Sequence, residues 1–141
     1  MACCGFLTLA GVGEGQDDLW MDLKYSVVDD AAESVELSDI ICNSALTFTA
    51  SAKNSRADVT VDDVIGFRLL DEGDLLDFWS AGISSQKGWI FEIAAGGWLA
   101  QESLRAGFVS QQRAGVREFL VIGVDWCLSL LALSAPKVAW R

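Results

Sequence analysis

Leu46, Phe48, Ala50 and Ala52 alternate with Thr47, Thr49 and Ser51, and this two-residue period constrains the fold more than any other feature of the chain. Successive side chains of an extended strand point to opposite faces, so the pattern makes one apolar face on a strand and no continuous stripe on a helix. Leu19, Met21, Leu23, Tyr25 and Val27 repeat it against Trp20, Asp22, Lys24, Ser26 and Val28. Val35 to Ile41 predicts a further strand. Trp89 to Ile93 and Trp98 to Ser103, joined by Ala94-Ala95-Gly96-Gly97, predict a hairpin whose glycines supply positive φ. Glu118 to Val124 is apolar on both faces, as a covered central strand would be. Lys137 to Arg141 predicts an edge strand.

Helical signals are shorter. Thr60 with Asp63 resembles a capping box, and Val61, Val64, Ile65 and Leu69 fall at helical spacing, predicting a helix from Val61 to Leu70. Asp74 as N-cap, Leu75, Leu76 and Trp79 inward and Gly82 as terminator predict a second helix to about Ser80. Asp125 would cap a third, with Leu128, Leu131 and Ala132 inward and Pro136 as its stop. The expected fold class is therefore α+β: a mainly antiparallel sheet with two or three short helices on one face, an all-β sandwich being the alternative. With 141 residues, one proline, no internal repeat and no linker composition, residues 1–141 read as one domain.

Charge and residue types narrow the function. The chain has no histidine, which removes Ser-His-Asp and Cys-His catalysis and histidine metal ligation. Cys3, Cys4, Cys42 and Cys127 form no C-x-x-C pair, so neither a zinc site nor a disulfide framework is expected, and a reducing, cytoplasmic setting fits best. Ala2 stands where myristoylation needs glycine. The apolar stretch Phe119 to Ala135 contains Asp125 and is too short to span a bilayer, so no membrane role is expected. Gly11-Val12-Gly13-Glu14-Gly15 lacks the Gly-Lys-Ser/Thr of a phosphate loop and has carboxylates beside it, which makes it a turn. No cofactor is implied. Of the net charge of −10, residues 1–78 contribute −12 and the remainder +2. Such an acidic half repels nucleic acid and favours a basic partner.

The densest acidic segment, Asp71-Glu72-Gly73-Asp74 with Asp77, leads into Trp79, and Asp62-Asp63 precedes it. Its spacing does not meet that of a calcium loop. An aromatic anchor beside a negative patch suits a basic protein, and Asp62, Asp63, Asp71, Glu72, Asp74, Asp77 and Trp79 are the expected contact residues. In this general character, short, single-domain, acidic, tryptophan-containing and without catalytic residues, the chain resembles the small immunity proteins of bacterial toxin systems. The resemblance rests on no motif. It implies a protein-binding inhibitor, not an enzyme, whose partner is a cognate toxin, often a basic nuclease. Two other readings stand beside it: a carbohydrate or small-ligand module presenting Trp89 and Trp98 from the ends of one hairpin, and a carboxylate-only hydrolase drawing on Glu92, Glu102 and Glu118, residues otherwise expected at the surface or rim.

Overall fold

The computed structural model describes residues 23–31 and 33–141. The expected Gly11–Gly15 turn, Cys3, Cys4 and the first part of the expected Leu19–Val28 strand lie outside them. Among the described residues nine strands follow one another: β1 (Lys24–Asp29), β2 (Glu36–Cys42), β3 (Leu46–Ser51), β4 (Arg56–Val61), β5 (Val64–Asp71), β6 (Ile90–Ala95), β7 (Arg117–Ile122), β8 (Trp126–Ala132) and β9 (Lys137–Trp140). They form a five-stranded sheet ordered β1-β6-β7-β8-β5 and a four-stranded sheet ordered β2-β3-β4-β9, with every pairing antiparallel. The fold is thus a mainly-β, sandwich-like arrangement.

Period-two burial builds the smaller sheet. Leu46, Phe48 and Ala50 of β3 and Ala57, Val59 and Val61 of β4 turn inward, against Ile90, Phe119, Val121, Leu128, Leu130 and Ala132 of the larger sheet. The strands β7 and β8 are apolar on both faces, and both faces are covered. Their second face, with Leu120 and Cys127, packs with Phe91 and Ile93 under Leu75, Phe78 and Ile83. Short helical segments pack beside this face, but the opposite face carries a second sheet, and this corrects the α+β reading in favour of the sandwich.

Three local expectations are corrected. The predicted Val61–Leu70 helix is the end of β4, a corner at Asp62-Asp63 and the whole of β5. Asp63 takes φ 53°, and the corner carries the chain from one sheet to the other. The predicted helix after Asp125 is β8, since a strand buried on both faces is as apolar throughout as a buried helix. The predicted return strand at Trp98–Ser103 is instead helix α2 (Trp98–Glu102); α1 is Leu76–Ser80. Accordingly β6 pairs with β1 and β7, and the expected hairpin does not form.

What makes α2 helical is a long-range contact. The Glu118 carboxylate, from β7, accepts the backbone N–H groups of Trp98 and Leu99 at 2.8 Å each, satisfying orphan donors of the first turn in place of a local cap. Glu118, expected at a rim, is only 2% exposed. Gly97 is needed for this approach, because a Cβ there would stand 2.5 Å from a Glu118 oxygen and 2.7 Å from Ile93 Cγ2. The helix then lays Trp98 beside Gly66 and against Arg68, whose guanidinium carbon lies 4.9 Å from the ring centroid. Arg68 Nε and the hydroxyl of its cross-strand partner Ser129 are buried without a hydrogen-bond partner among the described residues.

Burial raises the Glu118 carboxyl above the ordinary carboxylate value, against the opposing pull of the Leu99 and Trp98 N–H groups and of Arg68. The folded protein then holds this proton to higher pH than the unfolded chain. Its contribution to stability is complete below the unfolded value and is lost as pH rises through the folded one. Glu118→Gln is expected to cost about 1.5–3 kcal/mol in denaturant titration near neutral pH and to abolish that part of the pH dependence. Gly97→Ala is expected to cost about 1–3 kcal/mol through overpacking.

Candidate functional site

The acidic segment begins where β5 ends. The Asp71 carboxylate accepts the Gly73 N–H at 2.8 Å and caps a 3-10 turn, Glu72–Leu75, so the cap is Asp71 and not Asp74. Helix α1 continues directly, and Gly82 at φ 86° reverses the chain after it. Leu75 and Phe78 are the buried anchors. Leu76, expected inward, is 66% exposed, whereas Leu75 is 2% exposed. The reason is register: the break between the 3-10 turn and α1 turns the two leucines to opposite sides.

Beside this segment lies a cleft of about 710 Å³, within the usual size range of ligand sites. One wall is Glu72, Gly73, Leu76 and Trp79; the other combines Glu33 to Val35, Gln86 to Trp89, and Ile122 with Gly123. Trp79 is fixed as part of the wall, because its indole N–H donates to the Glu72 carbonyl at 2.7 Å. The Glu72 N–H donates to the Asp125 carbonyl in the β7–β8 turn, and Asp71 pairs with Trp126 across β5 and β8. Val124 and Trp126, both exposed, therefore stand at the same end of the sandwich as the acidic run.

The structure separates the expected contact residues into two groups. Asp71, Glu72, Asp74, Asp77 and Trp79 are together, the four carboxylates exposed. Asp62 and Asp63 lie at the opposite end of β5, an eight-residue strand and hence about 26 Å away. They are also occupied: Asp62 pairs with Lys137 at 2.5 Å, and Asp63 accepts the Ser134 hydroxyl at 3.1 Å. Asp58, Glu92 and Glu102 are paired with arginines as well. Asp71, Glu72, Asp74 and Asp77 take part in no ion pair among the described residues.

The other two readings from the sequence lose their expected geometry. Trp89 is buried, donates its indole N–H to Asp29 and packs edge-on against Trp140. Trp98 sits on α2 with its indole N–H on Glu102, so the two tryptophans do not flank one hairpin. Among the carboxylates, Glu92 is held by a bidentate Arg117 contact, 2.8 Å for each bond, which lowers its pKa. Glu102 binds Arg105, and Glu118 is committed to α2. Burial pushes the Cys127 thiol up to about 11, leaving it protonated at neutral pH, while Cys42 is exposed. Among the described residues no group of three or more Cys, Asp or Glu side chains is placed to hold a metal, and no helix is long and apolar enough to cross a membrane.

Leu76 and the far wall from Glu33 to Val35 line the cleft without any local pattern to mark them, because the cleft is assembled from segments distant in sequence. Comparison of the chain with known protein families, with curated proteins and with solved structures finds no match to any of them.

The register of α1 is directly testable. Leu75→Ala is expected to destabilise by about 2–5 kcal/mol and Leu76→Ala by less than about 0.5 kcal/mol, both read from denaturant midpoints. In the native protein, iodoacetamide is expected to modify Cys42 and spare Cys127 until denaturant is added, as peptide mapping would show.

Proposed function

We propose that the acidic end of the sandwich binds a basic protein and that the chain works by covering that partner's surface, in the manner of an immunity-type inhibitor of a basic toxin or enzyme in the cytoplasm. One observation carries this reading: Asp71, Glu72, Asp74 and Asp77 are exposed beside a cleft lined by both polar and apolar side chains and take part in no ion pair among the described residues, whereas Asp62 and Asp58 are neutralised within the fold. Unpaired carboxylates of one sign attract a basic surface over several ångströms and accelerate encounter. Leu76, Val124 and Trp126 supply apolar contact that charge alone lacks. The contact set is accordingly the run from Asp71 to Trp79, which includes Leu76, with Val124 and Trp126 added. Asp62 and Asp63 fall outside it.

The test uses a basic protein retained by the immobilised chain from extracts of its own host at low salt, followed by kinetics with the purified pair. Asp71 is left in place because it caps the turn. In the triple variant Glu72→Lys, Asp74→Lys, Asp77→Lys, association is expected to slow about tenfold or more and its salt dependence to flatten. Glu36→Lys, at an exposed carboxylate on β2, is expected to leave the rate nearly unchanged. Equal effects from the triple variant and from Glu36→Lys would refute the assignment of the surface.

A further inference from the structure

Among the described residues the two sheets leave four edge strands, β1 and β5 on the larger and β2 and β9 on the smaller. An edge strand offers unpaired backbone N–H and C=O groups to another chain, and folded proteins usually blunt such edges by shortness, charge, kinks or bulges. Three of the four are blunted. Strand β9 has four residues and opens on Lys137. Strand β2 carries Glu36 and a residue at φ 52°, Asp39, within a register shift. Strand β1 is irregular at both ends of its pairing. Strand β5 differs: it spans eight residues, and its one irregularity lies at its start, between Val64 and Gly66.

Its side chains differ as well. Phe67 and Leu69 are 39% and 42% exposed, although their cross-strand partners Leu130 and Leu128 are fully buried. Both point to the core-facing side of the larger sheet, at the margin where the narrower sheet no longer covers it. Apart from Arg68 on the opposite face and Asp71 at its end, β5 carries no charge.

We propose that β5 is a self-association edge, through which two copies of this chain pair antiparallel about a two-fold axis at Phe67 and join their larger sheets into one. Antiparallel pairing that keeps the core-facing sides together places like-facing residues opposite one another. With the axis at Phe67, Phe67 meets its own copy and Gly66 meets Arg68, while Leu69 falls opposite the irregular start of the partner strand at Ile65. Apolar side chains then oppose apolar ones, and the guanidinium lies against a glycine. Moving the axis to Arg68 places two guanidinium groups opposite each other, and moving it to Leu69 sets Phe67 against Asp71; both are disfavoured. The acidic clefts, at the Asp71 ends, fall at opposite extremities of the joined sheet. Pairing therefore leaves both open.

Sedimentation velocity from micromolar to submillimolar concentration is expected to show a dimer, and Phe67→Lys and Leu69→Lys, at exposed positions, a monomer with an unchanged near-ultraviolet spectrum. The register is read by mild oxidation in a background with Cys3, Cys4 and Cys42 changed to Ser. Phe67→Cys is expected to cross-link, since paired Cα atoms lie about 4.5–5.5 Å apart. Leu69→Cys is expected not to, its two copies being offset by about 13 Å along the strands. A wild-type monomer throughout the range, or a Leu69→Cys cross-link as efficient as that of Phe67→Cys, would overturn the proposal.

Discussion

Strands β7 and β8 are largely apolar on both faces, and the described elements around them cover them twice. Phe119, Val121, Leu128 and Leu130 meet the smaller sheet; Leu120 and Cys127 meet the helical segments on the other side. A one-sided cover would leave a row of large side chains in water, at about 1.5–3 kcal/mol for each. The second sheet answers the first demand. The turn-and-helix segment from Glu72 to Ser85 and the short helix α2 answer the second.

Neither helical segment is long enough to be stable by itself, and each is tied down by a specific contact. For α2 the tie is Glu118, a buried carboxylate whose desolvation is offset only in part by two backbone donors and a nearby guanidinium. For the 72–85 segment it is the burial of Leu75, Phe78 and Ile83, with Asp71 capping the first turn. Functional geometry follows from this packing. Because Leu75 and Phe78 are consumed by the core, the residues between and beside them, Asp74, Leu76 and Asp77, face outward, and the acidic surface is the outer side of a structural cover.

Elements with simple periodicity are legible in the amino-acid sequence. Strand β3 falls where alternation places it, β7 where a two-faced apolar run of strand length does, and β2 and β9 within segments expected to be extended. The misreadings share a cause. Val61 to Leu70 and Leu128 to Ala132 satisfy helical and extended spacing equally, and only the neighbours, β8 for the first and β5 with β7 for the second, select the strand. Trp98 to Ser103 follows a glycine turn as the return arm of a hairpin would, yet a carboxylate nineteen and twenty residues away holds its first turn helical. No window along the chain contains that information.

The candidate surface divides along the same line. Composition and local spacing suffice to establish that the chain is strand-rich, that it has no imidazole chemistry, and that its negative charge is concentrated before residue 79. Which carboxylates remain unpaired is a property of the tertiary fold. Asp62 and Asp77 look alike in sequence, but a lysine 75 residues further on folds back onto Asp62, and none of the described cations reaches Asp77. The cleft walls and the uncovered margin of β5 likewise follow from how a five-stranded sheet stacks on a four-stranded one, a matter of long-range register that local propensity does not encode.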